Sequence, residues 1–342
     1  MMNPSIPAAS ARTGFGLTPM AAERGTLDII VSVCNEAAVL AAFHAEATRV
    51  VSQLVAEGTD ATLVYVDDGS VDASPALLDR FAAEPGVRVL HLSRNFGHEA
   101  AMLAGLDDST ADHVVFLDAD LQHPPDMVPR ALAVACAGHD VVLMRRDAAA
   151  AGGLRRACNA AFYRGLSAIS SVPLEPDASD FFLVGRPVIE VLQREIRERT
   201  RFLRGLVQWV GFRRAVLTYA AAPRVAGRSK YHLGRLFGLA RDATLAFSTA
   251  PLRIAFVAAI GMLLGCLATA AFSLVGWWLG KPPSGYTTIM LFSTGVAAAQ
   301  FGLLGILGEY VGQLVDEAKG RPVYIVARRV GRDADKAGRR AA

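Results

Sequence analysis

Two aspartates, Asp118 and Asp120, close the apolar run Val114-Val115-Phe116-Leu117, and Gln122, His123 and Pro124 follow them. Four apolar residues in succession predict a strand covered on both faces of a sheet. Carboxylates at i and i+2 of an extended segment point to the same side, so their oxygens converge on one object. Such a pair repels itself unless a cation lies between the two groups or one of them protonates. A hard divalent ion, Mg2+ or Mn2+, held jointly with phosphate oxygens, suits this donor set. An isolated Asp-x-Asp is most often only an acidic loop. Its position at the end of a buried strand favours a metal-diphosphate site with Asp118, Asp120 and Gln122 as ligands.

Other polar clusters repeat that placement. Asn35-Glu36 follows the strand Leu27–Val33, and Asp67-Asp68-Gly69-Ser70 follows the strand Ala61–Val66. Carboxyl ends of parallel strands are where open α/β sheets bind ligands. An Asp-Gly-Ser sequence alone would be an ordinary turn. Further along, Arg224, Gly227, Arg228, Ser229 and Lys230 supply backbone and side-chain donors suited to a phosphate. Arg199, Arg201 and Arg204 lie in a cationic stretch whose ordinary reading is a solvated helix face paired with Glu195 and Glu198.

The elements that must carry these residues alternate. Strands are predicted at Leu27–Val33, Ala61–Val66, Val87–Leu92, Val114–Leu117 and Val141–Met144, with helices between them. That alternation implies right-handed crossovers and an α/β, doubly wound, mostly parallel sheet over residues 26–232. Residues 1–25 read as a disordered tail with no signal-peptide core. Within 251–315, Ile254–Leu279 and Tyr286–Gly308 carry no charge, each is long enough to cross a bilayer, and they are expected to be two transmembrane helices. Residues 233–250 read as an interfacial amphipathic helix and 316–342 as a basic tail.

Lys and Arg flank both apolar stretches, while the short connection between them carries only Lys281, so both termini and the catalytic domain are expected in the cytoplasm. Glycines in the spans invite helix association, hence a homo-oligomer. The net charge of +3 gives no reason to expect nucleic acid. Cys34, Cys136, Cys158 and Cys266 show no paired spacing and read as free thiols. No G-x-G-x-x-G follows the first strand, which argues against a dinucleotide-dependent oxidoreductase.

The ordered set Asn35-Glu36, Val66-Asp67-Asp68-Gly69-Ser70, Ser93-Arg94-Asn95-Phe96-Gly97 and Asp118-Ala119-Asp120-Leu121-Gln122-His123-Pro124 resembles glycosyltransferase family 2. Trp209-Val210-Gly211-Phe212, Arg224-x-x-Gly227-x-Ser229-Lys230-Tyr231, Gly308-Glu309-Tyr310-Val311-Gly312 and Arg321-Pro322-Val323-Tyr324 extend the likeness. They extend it to the polyprenyl-phosphate glycosyltransferases, the group of dolichol-phosphate mannosyltransferase and the bactoprenol glucosyltransferases. The resemblance implies a GT-A-type fold, a nucleotide-sugar donor, a polyprenyl-phosphate acceptor and a divalent metal at the inner membrane. It implies that Asn35, Glu36, Asp67 and Asp68 lie at the nucleoside, with Asp118 serving both nucleotide and metal. Asp180 would be catalytic together with Asp120, and Arg224, Arg228 and Lys230 would handle phosphates.

This chain departs from the family where Ser32 and Cys34 replace Pro and Tyr. It departs again where Ser179-Asp180-Phe181-Phe182 replaces Gly-Asp-Phe-Arg, so Arg199, Arg201 or Arg204 would have to supply the missing cation. A UDP-linked donor is the leading expectation and GDP-mannose the alternative. A processive polysaccharide synthase would be expected to show Q-x-x-R-W, whereas Gln208 and Trp209 are adjacent here. An inactive membrane scaffold with a nucleotide-binding fold is the rival of another class, and the intact Asp118, Asp120 and Asp180 speak against it.

Overall fold

The computed structural model describes residues 25–147, 175, 178–196, 198, 202–220, 250–280 and 285–331. The expected tail before residue 25, the interfacial helix and the Arg224–Lys230 segment lie outside these residues, as do Arg199 and Arg201. In chain order the elements are β1 (Thr26–Val33), α1 (Ala37–Ala56), β2 (Asp60–Asp67), α2 (Ser74–Phe81), β3 (Val87–Leu92), α3 (His98–Asp108) and β4 (His113–Asp118). A short 3-10 turn (Pro125–Met127) then leads into α4 (Val128–Cys136), β5 (Val141–Arg146) and β6 (Ala178–Gly185). Next come α5 (Arg186–Arg194), α6 (Leu203–Trp209), β7 (Arg214–Tyr219), α7 (Ala250–Trp278), α8 (Tyr286–Ala318) and β8 (Val326–Val330).

One eight-stranded sheet runs in the order β7-β5-β6-β4-β1-β2-β3-β8. Along β4 the side chains alternate: Val115 and Leu117 join the core under α1, α2 and α4, while Val114 and Phe116 join the one under α3, α5 and α6. Both faces are therefore apolar, which is why the strands read as continuous hydrophobic runs. The tight α3 contact depends on Gly105, where a Cβ would come within 2.5 Å of Ile30 Cγ2.

The parallel core is as expected, with β1 beside β2 and β4, and β2 beside β3. The sheet as a whole is mixed, of GT-A-like form. β6 enters antiparallel between β4 and β5, and β8 pairs antiparallel with β3. The chain reverses direction across β1 between β3 and β4, and that switch point opens the crevice in which α/β sheets bind ligands.

Val326–Val330, read from sequence as part of a basic tail, is thus an edge strand of the eight-stranded sheet. It lies beyond two long helices, α7 and α8, which touch one another. Among the described residues one helical segment, Phe292–Ala318, is long and apolar enough to cross a membrane, and Ile260–Gly276 is a shorter apolar one.

Candidate active site

The site begins with register. β4 and β6 pair His113 with Gly185 and continue to Phe116 with Phe182. Two residues further along, Asp118 and Asp180 are the next positions on the same face. Because β6 is antiparallel, its amino end lies at the carboxyl end of β4. A carboxylate far along the chain is thereby set beside the Asp-x-Asp turn.

Beneath them the rings of Phe116 and Phe182 pack with centroids 4.8 Å apart, and Phe182 is fully buried. A cation at position 182 would therefore be buried in the core. The charge comes instead from α6: the Arg204 guanidinium reaches 3.6 Å from Asp180 Oδ1 and lies over the Phe202 ring. Burial pushes the Asp180 carboxyl up, but Arg204, His98, His123 and Arg146 outweigh it and hold the group below the usual carboxylate range.

At the first turn of α3, His98 Nε2 lies 3.6 Å from Asp118 Oδ1 and 4.0 Å from Asp180 Oδ2. Its Nδ1 is 2.8 Å from Ser32 Oγ, and Ser32 is the β1 residue in register with Asp118. Burial opposes a charge on this imidazole. The carboxylates of Asp118, Asp180, Glu99 and Asp68 prevail and raise its pKa.

The next residue, Glu99, accepts the Leu203 N–H at 3.0 Å, pinning the start of α6 one residue before Arg204. Burial and the neighbouring Asp180 charge push the Glu99 carboxyl up to about 7. The sequence reading missed both His98 and Glu99. The available signal was their place directly after Asn95-Phe96-Gly97, at the carboxyl-end rim of the sheet.

Asp120 is held by its own turn. Its oxygens accept the backbone N–H of Gln122 at 3.0 Å and the Gln122 side-chain amide at 2.8 Å, across Leu121, whose φ is 61°. His123 is buried against Phe181 and Tyr219, and its Nδ1 accepts the Asp118 backbone N–H at 3.1 Å. The histidine thus anchors the turn from below.

Among the described residues no three His, Cys, Asp or Glu side chains form a ready-made metal cage. The donor chemistry nevertheless fits a hard cation. Asp118 and Asp120 are part-exposed carboxylates on one turn, oxygen donors of the kind a hard divalent ion takes.

The predicted nucleoside residues divide into two groups. Asp67 and Asp68 are consecutive and face opposite sides of the sheet. Asp67 accepts Ser70 N–H at 2.9 Å and lies 2.8 Å from His91 Nδ1. Asp68 receives the Phe96 and Gly97 N–H groups at 2.7 and 3.0 Å, fixing the entry to α3. Burial raises the Asp68 carboxyl against the pull of those two bonds.

Asn35 adopts φ 57°, accepts Val71 N–H at 2.9 Å and donates its own N–H to Ser70 Oγ at 3.0 Å, so it ties the two loops together. Gly69, at φ 63°, lets the same turn pack against the Arg94-Asn95 backbone, since a Cβ there would lie 2.4 Å from the Arg94 carbonyl carbon. Glu36 is part-exposed at the mouth of α1, where its carbonyl accepts the N–H groups of Val39 and Leu40.

The profile of glycosyl transferase family 2 matches residues 28–169. A bactoprenol glucosyl transferase of Shigella phage SfX is 34% identical over 313 residues, covering 89% of this chain and 99% of that one. A prophage bactoprenol glucosyl transferase homolog of Escherichia coli K12 is 33% identical over 310 residues, covering 88% of this chain and 98% of its own. Among solved structures, a mannosyltransferase of Pyrobaculum calidifontis in complex with GDP-Man and Mn2+ aligns over 88% of this chain and 91% of its own at 16% identity, with a TM-score of 0.45. The profile and the relatives make the protein a glycosyltransferase. It belongs to glycosyltransferase family 2.

Proposed function

We propose that the protein transfers a sugar from a UDP-linked donor to a polyprenyl phosphate, with inversion, at the cytoplasmic face of the membrane. The observation that carries this reading is the meeting of Asp118, Asp180, His98 and Arg204 at the carboxyl ends of the strands, beside the Asp120 turn. The names of the bactoprenol glucosyl transferases support the lipid acceptor.

Glu36 and Asp67 would meet the nucleoside, and Asp118, Asp120 and Gln122 would hold the divalent ion. Bound there, that ion would supply Lewis-acid stabilisation of the departing diphosphate. An acceptor phosphate oxygen attacks the anomeric carbon as the bond from that carbon to the diphosphate oxygen breaks. The nucleoside diphosphate leaves with the electron pair. A phosphomonoester with a second pKa near ~6 is already largely dianionic at neutral pH, so no strong base is needed. Asp180, kept ionised by Arg204, is suited to orient the acceptor and to stabilise positive charge developing on the sugar. The segment Arg224–Lys230 is assigned to the phosphates on its sequence alone.

Chain closure supports two membrane spans. β3 and β8 share one sheet, yet α7 and α8 lie between them in sequence. A single crossing by α8 would leave β8 on the far side, so on this reading α7 supplies a second crossing that returns the path. The loop between them is then extracytoplasmic.

The test is to incubate membranes containing the full chain with radiolabelled UDP-glucose, other UDP-sugars and GDP-mannose, and to count label moving into organic solvent. Extraction of label from a UDP-sugar in a chain- and metal-dependent manner is expected. Extraction from GDP-mannose alone would move the donor to the alternative, and none from any donor would overturn the reading.

A further inference from the structure

The strand that follows the membrane hairpin makes a specific contact with the donor side of the sheet. β8 places Arg328 opposite His91 of β3, so the two side chains share a face. The Arg328 guanidinium donates to Asp79 Oδ2 at 2.8 Å, and Asp79 Oδ1 lies 3.0 Å from His91 Nε2. The other ring nitrogen of His91 is 2.8 Å from Asp67 Oδ2. A continuous chain of close polar contacts thus runs Arg328, Asp79, His91, Asp67, across β8, α2, β3 and β2. His91 and Asp67 are both buried, whereas Arg328 and Asp79 are partly open. Burial pushes the Asp79 carboxyl up, but its bonds to Arg328 and His91 prevail and hold it below the usual range.

The opposite face of the same strand, and the residues just before it, are also held. Tyr324 Oη donates to Asp107 at 2.8 Å, and Arg329 Nε to Asp108 at 3.1 Å, both at the end of α3. Ser93 N–H bonds the Ile325 carbonyl at 2.9 Å, at the start of the Ser93–Gly97 loop. One short segment therefore touches both elements from which the candidate site is hung. A plain edge cover would need only the ladder and apolar packing.

We propose that β8 is a working part of the nucleotide site, with Arg328 and Asp79 as positioning residues that act through His91 on the Asp67 carboxylate. The proposal rests on the assignment of Asp67 to the nucleoside. Each carboxylate oxygen has a second lone pair, so Asp67 keeps acceptor capacity after bonding Ser70 and His91. Binding strength then depends on how firmly those two partners aim it.

The experiment uses the full chain in detergent, titrated calorimetrically with UDP and with GDP in MnCl2, beside thermal unfolding and steady-state kinetics. His91→Gln is expected to weaken binding of the preferred nucleotide about tenfold, the consequence of disturbing a buried hydrogen bond. Arg328→Gln, at a half-exposed pair, should weaken it about two- to fivefold, with Arg328→Lys restoring most of the loss. Donor KM should rise more than kcat falls, and in Arg328→Gln the thermal midpoint should move little. Because Arg328 acts through His91, the double variant should bind no more weakly than His91→Gln alone.

Asp67→Asn separates the two levels of the argument. If it weakens binding while the His91 and Arg328 variants bind as the parent does, β8 is only an edge cover and the proposal falls. Additive losses accompanied by a falling thermal midpoint would likewise reduce it to packing. If Asp67→Asn itself binds as the parent does, the nucleoside assignment fails, and the proposal with it.

Discussion

Arg204 stands 3.6 Å from Asp180, brought there by a helix whose first residue is fastened to Glu99 on the neighbouring α3. The pair replaces a cation that the sequence motif would have placed beside the aspartate, and Phe182 fills that position as core instead. Arg204→Gln is expected to lower turnover by about a hundredfold, the scale of removing one preorganised charge from an active site. Losing Arg204 also lets the Asp180 carboxyl rise, so the acid limb of the pH–rate profile should move to higher pH. Arg204→Lys should recover only part of the rate, because the ammonium lacks the planar fork. Parental rates in both variants would remove Arg204 from the site.

Glu99 makes a prediction about stability. Its folded pKa, about 7, lies above the ordinary glutamate value of 4.5. Between those values the folded chain holds a proton that the unfolded chain has released. Stability from this group is therefore full at low pH, declines as pH rises through that window, and is flat above it. Glu99→Gln keeps an acceptor for the Leu203 N–H without the charge. It should flatten the slope of thermal midpoint against pH between about 4.5 and 7, and be more stable than the parent at pH 8 by on the order of 1–3 kcal/mol. A parental slope in the variant would show that the group titrates elsewhere.

What could be read beforehand followed from local pattern. The β4 run and its two aspartates were legible because a strand covered on both faces must be continuously apolar. Alternation of strands and helices gave the parallel core. The meeting of Asp118 with Asp180 was not legible, since it depends on an antiparallel strand inserted from far along the chain. β8 was hidden for a related reason: five short residues with two adjacent arginines look like a basic tail until β3 supplies their partner. His98 and Glu99 read as an ordinary polar first turn. Only the fold shows that this turn opens onto two carboxylates.

The Asp120 turn predicts a sharp separation of chemistry from folding. Asp120→Asn removes charge where a divalent ion would be shared with the donor diphosphate, while the amide can still accept from Gln122 N–H. Transfer is expected to fall at least about a hundredfold. Membrane insertion and thermal midpoint should stay near parental values. EDTA should abolish parental transfer, and Mn2+ or Mg2+ should restore it. Full activity of the variant in metal-free buffer would overturn the metal assignment.

The membrane path can be tested through two serines. Lys and Arg surround the helix pair on the domain side, including Arg321, Arg328 and Arg329 after α8, whereas the connection after α7 has Lys281 alone. On the proposed reading that bias would keep those flanks in the cytoplasm. The pairing of β8 with β3 independently requires both ends of the hairpin to lie on one side. In a chain whose own cysteines are replaced, Ser284→Cys should react with an impermeant thiol reagent in intact cells, while Ser229→Cys should react only after lysis. Labelling of Ser229→Cys and not Ser284→Cys in intact cells would invert the arrangement. Labelling of both would leave the two ends of the helix pair on one side, as the sheet requires, but would remove the membrane crossing between the domain and the loop.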